Sequence, residues 1–117
     1  MKNLEQIRAA HAPGVAKETK KADVNKIPAM IMTNGLLAAT AFANEEDGAK
    51  RPEMAAVMNG VARHLANDAH GMPVLKGVAN AQQMLEKLTG ADSADLRRAT
   101  AEALAFVGYV KRFATKE

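Results

Sequence analysis

The chain has 117 residues, and 48% of them are hydrophobic, but 25 are Ala and only 23 are Leu, Ile, Val or Phe. Aromatic content of 3% and few β-branched residues exclude a β-sandwich or barrel, and the lack of Cys excludes a disulfide scaffold or a Cys-based zinc site. Sixteen Lys and Arg against thirteen Asp and Glu leave a net charge of +3 and a pI near 9.3, which admits a nucleic-acid partner without requiring one. Ala has the highest helix propensity and lets helices approach closely. The composition therefore predicts an all-α protein: a single domain over 1–117, built as a compact bundle of about five to six helices.

Leu4, Ile7, His11 and Val15 recur at helical spacing and predict a first helix. Pro13-Gly14 is expected to kink or break it, with the segment resuming toward Lys21. Asp23 is a candidate cap for a second helix running to about Asn44, in which Pro28 fits the first turn or a kink. Ile27, Met30, Ile31, Leu37, Ala38, Ala41 and Phe42 form one broad stripe there, with Met32 and Leu36 opposite, so the helix should be buried on more than one side. Gly35 is read as a close helix contact, with a turn at Asn34-Gly35 as the alternative. A polar loop then leads to Pro52 at a helix start.

Met54, Met58, Val61 and Leu65 make a third stripe, followed by a break at His70-Gly71-Met72-Pro73. Val78, Ala81, Leu85 and Leu88 make a fourth, ended by Gly90. Ser93 is a candidate cap for a last helix running to about Thr115. On that helix Leu96, Ala103, Val107, Val110 and Ala114 form one side, with Phe106 and Phe113 beside them. Ala101, Ala105 and Gly108 form a second, small-residue side flanked by Arg98 and Arg112, suited to a subunit contact with another helix or to a nucleic-acid backbone, although Ala on a solvated face would look the same.

The chain shows no nucleophile motif, phosphate loop or HExxH pattern. His64 and His70 are six apart, so they do not form an i, i+4 ligand pair, and His64 is expected to bond Asp68 four residues on or to be solvated. Carboxylates are expected to be solvated, the Met residues to fill the core, and the Phe residues to be core rather than stacking platforms. No catalytic site, metal or cofactor is expected. Nucleic-acid contact would be directed at phosphate, through Lys17, Lys20, Lys21, Lys26, Arg97, Arg98, Lys111 and Arg112. The first residues carry no apolar signal region, and the uncharged stretch Ile27 to Asn44 is too short and polar for a membrane span, so a cytoplasmic location is expected.

Two blocks go beyond composition. Lys26-Ile27-Pro28-Ala29-Met30-Ile31-Met32-Thr33-Asn34-Gly35-Leu36-Leu37-Ala38-Ala39-Thr40-Ala41-Phe42-Ala43 matches a pattern of apolar-Pro, two apolar turns, Asn-Gly-Leu and Ala-Phe. Ala99 to Ala114 closes on an aromatic followed by Lys111-Arg112-Phe113-Ala114. Together they resemble the small helical subunit of type III-B CRISPR effector complexes, the Cmr complexes. Tyr109 stands where the family often has Trp. The resemblance implies a subunit without catalysis, stacking with copies of itself inside a guide-RNA filament. Its partners would be the backbone and large subunits, guide RNA and single-stranded target RNA, with no membrane and no small-molecule substrate. It also implies RNA-facing roles for Lys111 and Arg112, and for Lys26 more weakly. The remaining basic residues are candidates from charge alone. Two other readings stand beside it: a stand-alone helical module that binds a protein through the small-residue face, and a basic nucleoid-type protein.

Overall fold

The computed structural model describes residues 3–17, 21–45, 52–67 and 70–114, with Lys21 described for its backbone only. Among these residues, six α-helices fold around one hydrophobic cluster: α1 (Leu4–Ala16), α2 (Lys21–Asn34), α3 (Leu36–Ala43), α4 (Pro52–Leu65), α5 (Ala81–Thr89) and α6 (Ser93–Phe113). A short 3₁₀ turn, Pro73–Leu75, precedes α5, and there is no strand among the described residues. The fold is all-α, as composition predicted.

Local chemistry accounts for the helix ends. Asn3 and Gln6 form a reciprocal capping box at the start of α1. The Asn80 side chain accepts from the Gln83 N–H at α5, and Asn59 of α4 reaches across to accept the Ala81 N–H at 2.8 Å. Asp92, not Ser93, caps α6 by accepting the Asp95 N–H. At the far end, Lys111 and Arg112 lie in the last turn, where cations complement the carbonyl end of the helix dipole.

Three expectations are corrected. The first helix continues through Pro13, and the Lys17 N–H bonds the Pro13 carbonyl at 3.1 Å. Burial of Ala12 and Ala16 holds that last turn in place while the Pro13 ring faces solvent. Asp23 lies inside the first turn of α2 rather than ahead of it. The long second helix is two helices. Gly35 takes φ +91°, a left-handed conformation that penalises any Cβ. Its N–H closes α2 on Ile31 and its carbonyl accepts the first bond of α3 from Ala39. Gly35 is therefore a hinge between helices and not a close contact.

That break resets the helical phase. Val24, Ile27 and Ile31 are buried on α2, and Leu36, Ala39, Thr40 and Ala43 on α3, while Ala38, Ala41 and Phe42 turn outward. On α1 the fully buried positions are Ala12 and Ala16, and Leu4, Ile7, His11 and Val15 line the edge of the interface. On α4, nine of the fourteen residues are buried, including the whole predicted Met54-Met58-Val61-Leu65 stripe. In the fourth stripe Met84 is fully buried beside Ala81 and Leu88, and Leu85 only half-buried. Helix α6 is the spine of the bundle and packs on α1, α2 and α4.

The close helix approach lies at Gly60. A Cβ built there would sit 2.5 Å from Val15 Cγ2, so only Gly lets α1 and α4 meet at this point. Gly108, by contrast, has nothing within 4 Å of such an atom. Gly60→Ala is therefore expected to lower stability by about 1 kcal/mol, because overpacking outweighs the gain in helix propensity. Gly108→Ala is expected to raise it by about 0.5–1 kcal/mol through propensity alone. Urea midpoints of opposite sign are the check.

Candidate functional site

The chemistry-bearing side chains converge under α6. Glu102 and Phe106 are four residues apart, so α6 presents both on one face. Both point inward, with 7% and 0% of their surface exposed. Phe106 stacks flat on the His64 ring, with centroids 3.9 Å apart and planes 9° from parallel. Glu102 takes a forked contact from Arg8 of α1, from Nη2 to Oε1 at 2.6 Å and from Nε to Oε2 at 2.8 Å. His64 Nε2 lies 2.8 Å from Glu102 Oε2, and His64 Nδ1 lies 2.7 Å from His11 Nδ1.

The tautomers follow from the network. Burial opposes ionisation of Glu102, but the bonds from Arg8 and then His64 outweigh it and hold the carboxyl at about 2. An ionised Glu102 only accepts, so His64 Nε2 carries a proton; in the neutral His64 ring, Nδ1 then accepts from His11 Nδ1–H. The Glu102 bond also raises the pKa of Arg8 above its already high value. Burial lowers the pKa of His11 and of His70, and proximity to His64 lowers both further.

His70 enters from the loop before the 3₁₀ turn. Arg98 of α6 donates from Nη2 to the carbonyls of His70 at 3.0 Å and Gly71 at 3.3 Å, which ties that loop to the helix. The His70 ring then meets His64 edge-on, with centroids 4.3 Å apart. Its Nε2 is buried and has no hydrogen-bond partner. His64, His70 and Glu102 each bring one ligand atom to within 4.8 Å of the others.

This cluster corrects several expectations. His64 and His70 belong to different elements, and tertiary packing brings them together although their spacing cannot. Asp68 lies outside the described residues, and both His64 nitrogens go to other partners. Glu102 is buried rather than solvated. The missed signal was its position: Ala99, Glu102, Ala103, Phe106 and Val110 share the buried stripe, so the wheel placed an acidic residue among apolar ones. Arg8 was not legible at all, being 94 residues from its partner.

The predicted basic residues do not form one patch. Lys111 and Arg112 are exposed at the end of α6, whereas Arg97 and Arg98 lie about 21 Å back along its axis. Arg98 is engaged with the loop carbonyls, and Arg97 bonds Ser93 Oγ at 3.3 Å. Lys26 is exposed on α2 beside a hollow lined also by Asp23 and Glu53. Lys17 is exposed and lines a polar hollow of about 470 Å³ with His11 and Arg63. Lys20 and the Lys21 side chain lie outside the described residues. Phe113 and Phe42 are 44% and 42% exposed, against the expectation that the Phe residues are core; only Phe106 is.

The small-residue side of α6 faces outward, with Ala101 exposed and Ala105 and Gly108 half-buried. Ala101 lines an apolar groove of about 610 Å³ with Leu96, Leu104, Leu36 and Leu37, where α6 passes the Gly35 hinge. No helix among the described residues is long and apolar enough to cross a membrane.

A family model described as CRISPR-associated protein (Cas_Cmr5) matches residues 2–117, nearly the whole chain. No curated protein and no solved structure gives a significant match. An all-helical chain matched over nearly its whole length, with Lys111, Arg112 and Phe113 exposed at the end of its last helix, thus belongs to the Cas_Cmr5 family of CRISPR-associated proteins, subunits of Cmr complexes.

Proposed function

We propose that the protein is the non-catalytic small subunit of a type III-B Cmr effector, cytoplasmic, stacked with copies of itself along the guide and target RNA and touching RNA backbone. The observation that carries this reading is the end of α6. There Lys111, Arg112 and Phe113 are exposed together, in the block that resembles the family's closing pattern. Two cations can neutralise phosphates, and a half-exposed ring beside them can stack a base without reading sequence. Sequence choice would come from base pairing with the guide, as in other RNA-guided effectors. Assignment of RNA cleavage to a neighbouring subunit rests on the family resemblance.

The groove around Ala101 supports the stacking part of the proposal. It is apolar, lies on the outer side of α6, and is about 10 residues from the basic end, so one helix could serve both contacts. The same groove also favours the second reading, a protein-interaction module without RNA.

One experiment separates them. The tagged chain and its Lys111→Glu/Arg112→Glu variant are purified from source cells and their partners identified. The proposal expects Cmr subunits and guide RNA with the native chain. It further expects the variant complex to bind single-stranded target RNA several-fold more weakly, with a salt slope flatter by about 1.4. Partners without RNA, or an unchanged salt slope, would support the second reading instead.

A further inference from the structure

Independently of any role beside RNA, we propose that His64, His70 and Glu102 bind a divalent cation of the zinc class and so staple α4 and the His70 loop to α6. Three buried potential ligands from three separate segments meet within 4.8 Å. Exposure is 2% for His64 and 7% for His70 and Glu102, so water does not compete freely for them. The buried His70 Nε2 has no partner, and an orphaned polar atom of this kind calls for a bound species. Two imidazoles and one carboxylate suit zinc rather than magnesium or calcium, which prefer oxygen ligands.

The network accommodates the ion without net loss of a proton. His64 moves its proton from Nε2 to Nδ1, which frees Nε2 as a ligand. His64 Nδ1–H then donates to His11 Nδ1, 2.7 Å away, once His11 carries its own proton on Nε2. A ligating histidine that donates its other N–H to a fixed partner is the usual support around zinc. His64 Nε2 and Glu102 Oε2, now 2.8 Å apart, open by about 0.5 Å around a tetrahedral ion. Glu102 Oε1 stays on Arg8 at 2.6 Å. The Arg8 charge opposes a cation, whereas the carbonyl end of α4, where His64 sits in the last turn, favours one. Solvent would complete four ligands.

The test uses the untagged full chain, stripped with a chelator and titrated with zinc chloride. One equivalent should bind, and a hundredfold excess over Kd should raise the melting midpoint by about 10 °C. Magnesium should do neither. Cobalt(II) should give the visible absorption of a four-coordinate nitrogen–oxygen site. His70→Ala breaks no hydrogen bond of its ring nitrogen Nε2 and should reduce zinc affinity at least tenfold; His70→Gln serves if the Ala variant unfolds. Absence of stoichiometric binding by the native chain would overturn the proposal, as would unchanged affinity in either His70 variant.

Discussion

Glu102→Gln should lower the melting midpoint of the metal-free protein by roughly 12 °C, a loss of about 3 kcal/mol. The substitution keeps the shape of the side chain and removes its charge. Arg8 then loses its forked partner, and His64 Nε2–H faces an amide that cannot accept both contacts as the carboxylate does. The cost comes mostly from stranding these largely buried polar groups at the junction of α1, α4 and α6. Replacing both ends of the pair with apolar residues, Arg8→Leu with Glu102→Leu, should cost less than the sum of the two single changes, since neither charge is then left alone. Thermal melts of the single and double variants read this directly. A Glu102→Gln midpoint within about 3 °C of native would mean that the network carries little of the fold's stability.

Phe106→Ala should be at least as damaging, at about 4 kcal/mol or roughly 16 °C in midpoint. Phe106 is fully buried, and it is the largest of the side chains buried to this degree. It is also the surface against which the His64 ring lies flat at 3.9 Å. Truncation leaves a cavity and frees the ring that connects His11 to Glu102, so packing and polar order fail together. In a chain with only 23 Leu, Ile, Val and Phe, few neighbours are large enough to collapse into the space. Phe113→Ala, at the last residue of α6 and 44% exposed, should shift the midpoint by less than about 2 °C. Comparable losses for the two would refute the placement of Phe106 at the centre of the core.

These outcomes describe a helix with two duties. The inner side of α6 supplies Glu102, Phe106, Val107 and Val110 to the core. Its outer side offers Ala101, Ala105 and Gly108, and its end offers Lys111 and Arg112 to solvent. Ala101 lies in an apolar groove walled by Leu36, Leu37, Leu96 and Leu104, which gives this small protein a second surface.

Much of this was legible in the chain alone. Ala content and the scarcity of β-branched and aromatic residues sufficed for an all-helical fold, since propensity and periodicity act locally. The Met54-to-Leu65 stripe, the Gly90 stop and the exposure of Lys111 and Arg112 follow from the same local rules. Two Phe residues defeated them, because the Gly35 hinge turned Phe42 outward and Phe113 lies at a helix end that the described residues cover only in part. Pro13-Gly14 predicts a kink or a break, and the break is absent because burial of Ala12 and Ala16 outweighs the one lost hydrogen bond. The Arg8–Glu102–His64–His11 network and the approach of His70 depended on the tertiary structure alone. Their members come from α1, α4, a loop and α6, and their bonds depend on distances of a few ångströms that only the packed helices set. No spacing along the chain encodes such a cluster; its only trace was one acidic residue in an apolar stripe.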